Sequence, residues 1–208
     1  MRDALFMGRL TASATHEMQN ILATIRESGG LMEDLLAMGG ADFAHAERFK
    51  KGLGILAEQV ERGMALSEQL NYCAHAPEAT PAGAGVNEAM RSLVGLCRRD
   101  ASRGRVSLVL APGRTGLRTS LRAVEVMDLV GQVLDCGLPL MPRGCQLMLS
   151  VEEQGGLAVV RLDAPGFEAL RQQPGYAELS RCAKASQVGV CAGPGGQGVV
   201  LSLPKAMA

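Results

Sequence analysis

Residues 13–25 read SATHEMQNILATI, and the period of the sequence around them decides the architecture. Leu10, Ala14, Ile21, Ile25, Met32, Leu35 and Leu36 recur at spacings of three, four and seven, as in an amphipathic α-helix. Each residue advances about 100° round a helix axis, so His16 falls with Ala12, Asn20 and Ala23 near one face, away from the apolar residues. Its imidazole is therefore expected to face water. A second helical series, Leu53, Leu56, Val60, Met64, Ser67 and Leu70, follows a break at Gly39 to Asp42. There the glycines can end one helix and Asp42 can cap the next. A helical hairpin is predicted. Two such helices cannot bury both apolar stripes on each other alone, so a second copy is expected to complete a symmetric four-helix bundle, making oligomerisation a condition of folding.

The 208 residues are 47% hydrophobic and 20% charged, which excludes a disordered chain. No apolar run approaches the roughly 18 residues that span a bilayer. The opening MRDALFMGRLTASATHE breaks its apolar cluster at Gly8 and Arg9, unlike a signal peptide, so a cytoplasmic location without membrane attachment is expected. Twenty-one basic and 21 acidic residues cancel, leaving no bulk field to recruit nucleic acid. Aromatic residues are 3% with no Trp, so stacking platforms for single strands are scarce. Cys73, Cys97, Cys136, Cys145, Cys182 and Cys191 lie far apart without a C-x-x-C. They read as reduced, mostly buried thiols and not as metal ligands.

Composition changes at HAPEATPAGAG, residues 75–85, a cluster of turn formers that follows 76 residues without proline. Three segments follow: a hairpin over 1–76, a linker over 77–85 and a second domain over 86–208. The second domain is predicted as helix 86–104, strand 106–111, helix 118–141, strands 145–153 and 157–164 about Gly155-Gly156, helix 174–186, and a closing hairpin of 188–193 and 198–204. That order makes an α/β sandwich with helices on one face of the sheet, and an α+β chain as a whole.

His16 is the candidate reactive group. A neutral imidazole on the wet side of a bundle can act as a nucleophile toward phosphoryl groups, whereas a lone surface histidine by itself means little. The segment resembles the phosphoacceptor box of bacterial sensor histidine kinases, in which His is followed by Glu or Asp and, four positions on, by Asn or Thr. His16, Glu17 and Asn20 match. The layout matches too, because that family joins a dimerising helical hairpin to an α/β sandwich of the GHKL type. The resemblance implies that His16 forms the phosphoramidate, that Glu17 orients or deprotonates the ring, and that Asn20 places a water or contacts the partner. Many of these kinases have a proline five positions after the His; here Ile21 stands there, and no kink is expected.

The sandwich departs further from the family. Gln132 and Cys136 stand where two asparagines would hold Mg²⁺ and phosphate, and a thiol is a poor ligand for that cation. The D-x-G-x-G motif is reduced to Asp163-Ala164-Pro165-Gly166-Phe167, and the last glycine motif to Gly196-Gln197-Gly198, which a hairpin turn explains without phosphate. A phosphoacceptor hairpin on a degenerate sandwich resembles the histidine phosphotransferases, which pass phosphoryl groups between receiver domains and do not use ATP. The expected function is thus phosphotransfer between receiver aspartates through His16 in a homodimer, with response-regulator receivers as partners and no cofactor. Two alternatives are an ATP- and Mg²⁺-dependent kinase autophosphorylating on His16, and a dimeric scaffold without chemistry. His45 and His75 read as surface residues near helix ends. The arginines between Arg98 and Arg122 read as a solvated face or a receiver-docking one.

Overall fold

The computed structural model describes residues 2–38, 46–78, 83–193 and 198–206. Helix α1 (Arg2–Met38) runs unbroken through Ile21, and α2 (Ala46–His75) returns alongside it. A Cβ on Gly63 would lie 3.6 Å from Ile21 Cγ2, and one on Gly52 would lie 3.0 Å from Met32 Cγ. These two contacts make the pair antiparallel, and the glycines let the helices approach closely. The expected break at Gly39 to Asp42 lies outside the described residues.

The second domain opens with β1 (Ala84–Gly85) and α3 (Val86–Arg103), continues through β2 (Ser107–Leu110), β3 (Arg118–Thr119) and α4 (Ala123–Gly137), and then forms β4 (Gln146–Gln154) and β5 (Leu157–Asp163). Helix α5 (Tyr176–Ala185), β6 (Gly189–Ala192) and β7 (Val199–Leu203) complete it. The five-stranded sheet has the order β2-β4-β5-β7-β6, with β2 parallel to β4 and the other neighbours antiparallel. Alternation fixes which face is covered: Leu147, Leu149 and Val151 are buried, while Met148 and Glu152 on the other face are exposed. The chain is thus α+β, with N-terminal helices followed by a mixed sheet.

Three details depart from the sequence reading. Residues 118–122 were expected to begin a helix, but Arg118–Thr119 pair with Ala84–Gly85, and the buried Thr119 hydroxyl donates to the Pro204 carbonyl at 2.7 Å. The helix starts only where Glu125 accepts from the Arg122 backbone N–H at 2.8 Å, a capping contact. It ends at Gly137, ahead of Pro139, instead of reaching residue 141. A 3-10 turn, Phe167–Gln172, occupies a stretch where no helix was predicted.

The hairpin docks on the sandwich through the first half of α1. Phe6 is 3% exposed and its ring lies over Gly131 of α4, where a Cβ would come within 2.8 Å of it. Leu10 and Ala14 continue the buried face. Polar pairs rim the joint: Arg9 to Asp135 at 2.5 Å, Ser13 to Asp100 at 3.3 Å and Arg122 to Asp3 at 3.0 Å. Exposed pairs like these contribute at most about 1 kcal/mol each, whereas burying a Phe side chain contributes roughly 1.5–3 kcal/mol. The joint is therefore held by apolar contact. Phe6→Ala is expected to lower the unfolding free energy by about 3 kcal/mol in urea titrations; a change under about 1 kcal/mol would mean that α1 is not docked there.

Candidate functional site

The middle of α1 divides its residues among three environments. Ala14 and Ile21 are buried, Leu22 is exposed apolar surface, and His16 and Asn20 are exposed on a third side. His16 lies about 140° round the axis from Ile21, and Asn20 about 40° from His16. Both are available to a partner surface. Thr24 and Thr15 hydroxyls donate to the backbone carbonyls four residues back, those of Asn20 and Thr11, at 3.0 and 2.8 Å.

Glu17 turns to another side. One carboxylate oxygen is bound by the Arg62 guanidinium of α2, and the other lies 4.0 Å from Arg99 Nε of α3. The side chain is 14% exposed, so this carboxylate joins both hairpin helices to the sandwich. The sequence marked Glu17 by its place beside His16 and gave no sign of Arg62, whose role depends on the hairpin register.

The arginines that sequence alone groups together are spread over separate tasks. Arg99 reaches Glu17, Arg114 pairs with Glu153, Arg118 donates to the Gly83 carbonyl at 2.5 Å, and Arg122 binds Asp3 and Glu125. His75 pairs with Glu78 at 2.8 Å. His45 lies outside the described residues.

The positions that would hold a nucleotide are differently occupied. Gln132 Nε2 donates to the Asp128 carboxylate at 3.1 Å and to its carbonyl at 3.2 Å, while Gln132 Oε1 is buried without a hydrogen-bond partner. Cys136 Sγ would stand 2.6 Å from a Cβ on Gly175, and burial, with Asp135 nearby, raises its pKa and keeps the thiol protonated. The buried ring of Phe167 would lie 2.4 Å from a Cβ on Gly137, so the 3-10 turn and α5 close over the end of α4. Asp163, at the end of β5, is raised by burial, with Glu152 adding and Arg161 opposing. A Cβ on Gly198 would meet Asp163 Oδ1 at 2.8 Å and the Leu162 carbonyl at 2.3 Å. Gly198 has φ +89° and its carbonyl accepts from Gly193 N–H at 3.1 Å, closing the β6–β7 hairpin. Gly196 lies outside the described residues. One free hard oxygen, a neutral thiol and a filled flank fit Mg²⁺ and a nucleotide poorly.

All six cysteines are free thiols; Cys73 and Cys182 are buried, three are partly covered and Cys191 is exposed. Among the described residues no helix is long and apolar enough to cross a membrane.

No known family pattern matches the chain, and no curated protein matches it. Solved structures do. Full-length ShkA in complex with AMPPNP has a TM-score of 0.50 at 13% identity, over 97% of this chain and 46% of that one. A structure described as a bacterial phosphotransferase has 0.49 at 16% identity, covering 96% of both chains. The histidine kinase AdeS of Acinetobacter baumannii has 0.48 at 12% identity, over 92% of this chain and 98% of that one. At such identities the likeness is one of fold alone, a helical hairpin followed by a domain built on a mixed five-stranded sheet.

The joint between hairpin and sandwich also governs two thiols. Cys97, beside Leu10, Gly131 and Asp135, is pushed up to about 12 by burial, with Asp100, Asp135 and Cys73 adding and Arg9 opposing. Cys73 is pushed up to about 11 by burial. At pH 8 an aromatic disulfide reagent should label Cys191 quickly, and Cys73 and Cys97 only as the protein unfolds. The ordinary thiol value is 9.0, so between pH 9 and 11 the folded state holds more protons than the unfolded one. Stability should fall as pH rises through that window, read as a lower urea midpoint at pH 10 than at pH 8. An unchanged midpoint and fast labelling of all six would contradict the burial.

Proposed function

We propose that this chain is a histidine phosphotransfer protein of a two-component phosphorelay, carrying a phosphoryl group between receiver aspartates through His16. What supports this most is the position of the ring. It stands on an exposed side of a helix whose opposite side is buried, in a fold shared with ShkA, with exposed Asn20 one turn further on. In the forward step a lone pair on a ring nitrogen attacks the phosphorus of an aspartyl phosphate on a receiver. The P–O bond to the carboxylate breaks, the P–N bond forms and the aspartate leaves as an anion. The second ring nitrogen then gives its proton to water. Transfer to another receiver reverses these bond changes. Mg²⁺ held by the receiver's own carboxylates would meet the developing charge, so this chain needs to supply a nucleophile and a docking face, with Asn20 contacting the partner. Glu17 serves the same site by holding the helices around it in register.

Homodimerisation belongs to the same proposal. Leu22, Leu53, Val60 and Met64 are 49–57% exposed, and on α2 they lie opposite Leu66 and Gln69, which face α3. A second hairpin seated there would complete a four-helix core without covering His16. Val60→Glu with Met64→Glu should convert a dimer into a monomer in sedimentation equilibrium; a wild-type chain that sediments as a monomer contradicts the pairing.

One observation favours a second reading, autophosphorylation from ATP: the buried, unpartnered Gln132 Oε1 is a hard oxygen of the kind Mg²⁺ takes. Labelling separates the two. Wild-type protein is expected to take label from a phosphorylated receiver and none from ATP with Mg²⁺ alone. His16→Ala should take none from either while keeping its helical circular dichroism. Label on His16 from ATP alone would make the chain a kinase, and no label from any donor would leave only a scaffold.

A further inference from the structure

Between α2 and α3, on the side of the hairpin away from the exposed apolar stripe, lies a cleft of about 400 Å³. Three guanidiniums line it, Arg62, Arg98 and Arg99, against two carboxylates, Glu17 and Glu58. Arg62 is paired with Glu17, and Glu58 is exposed. Arg99 reaches Glu17 only through Nε at 4.0 Å, and its Nη1 is buried with no hydrogen-bond partner. A buried N–H left without an acceptor is unfavourable, more so on a charged group, so a cation kept in this state marks a place where an acceptor belongs. Arg98 opens on the same cleft, one position before Arg99, and its guanidinium has no carboxylate partner among the described residues. The wall behind is Leu66 and Leu96, and the volume exceeds that of a lone ion.

We propose that this cleft binds the phosphate of a small phosphorylated molecule, with the guanidiniums of Arg98 and Arg99 donating to its oxygens and the apolar wall receiving the rest of the ligand. Guanidinium forks suit tetrahedral oxyanions, and three positive groups against two negative ones leave the lining with a net positive charge. Occupancy would tie α3 to α2 directly beside the Glu17 contact and so set how firmly the sandwich is held next to His16.

The test is isothermal titration calorimetry on the full chain, with inorganic phosphate, pyrophosphate and adenosine monophosphate as probes at constant ionic strength and without Mg²⁺. Saturable binding of one anion per chain is expected, weakened at least tenfold in Arg98→Gln/Arg99→Gln and unchanged in His16→Ala. Equal affinity for phosphate and the nucleotide would identify the free ion as the ligand, and tighter binding of the nucleotide an ester. Unaltered circular dichroism of the double variant shows that the loss is local; if that variant is unfolded, Arg98→Gln alone, whose side chain is exposed, gives the same comparison. Absence of saturable heat with every probe, or affinity that survives both substitutions, overturns the proposal. No phosphoryl donor enters the measurement, so its failure leaves the role of His16 untouched, and loss of phosphotransfer leaves the cleft untouched.

Discussion

Everything in the molecule depends on how the first half of α1 is packed. Phe6, Leu10 and Ala14 seat it against α3 and α4, where Gly131 has no side chain to hold the ring off, while Ile21 and Met32 seat the rest against the glycines of α2. A helix fixed along one face has no rotational freedom. His16 is then held outward by contacts on the other side of the same cylinder, and the apolar residues that are neither inside nor beside the imidazole form a stripe of their own. Turning α1 by a quarter would bury Leu22 and expose Ala14 and Ile21, at a cost of several kcal/mol in apolar area.

The joint also explains why Glu17 and His16, adjacent in sequence, have separate surroundings. Neighbours on a helix point about 100° apart. One meets solvent and the other meets two arginines from two other helices. At the opposite end of the sandwich, Phe167 and α5 pack onto α4 through contacts to Gly137 and Cys136 that only small residues permit. Phe167 and Leu170 are thereby part of the hydrophobic core. The domain keeps its sheet and lends the hairpin a rigid flank.

Much of this was legible in the sequence wherever local periodicity and turn chemistry act alone. The spacing of Leu10, Ala14 and Ile21 located both the buried face and the outward His16, and Gly155-Gly156 marked the β4–β5 turn, where both residues adopt positive φ. Residues 118–122 misled because their helical spacing competes with Thr119, whose hydroxyl and backbone are claimed by chain distant in sequence. The Arg62 and Arg99 contacts to Glu17 were invisible for the same reason: charges reveal their partners only after the register of three helices is set. Similarly, the run of arginines looked like one surface in sequence and became several unrelated contacts once α3, β3 and α4 had parted.

The central claim is that the His16 ring stays open to solvent while the opposite face of α1 is buried. Carbethoxylation followed by peptide mass spectrometry, on the protein at concentrations where it self-associates, measures this directly. The account predicts that His16 is modified about as fast as exposed His75, with no change on dilution. A His16 protected relative to His75, or one that becomes reactive only when the protein is diluted, would contradict it.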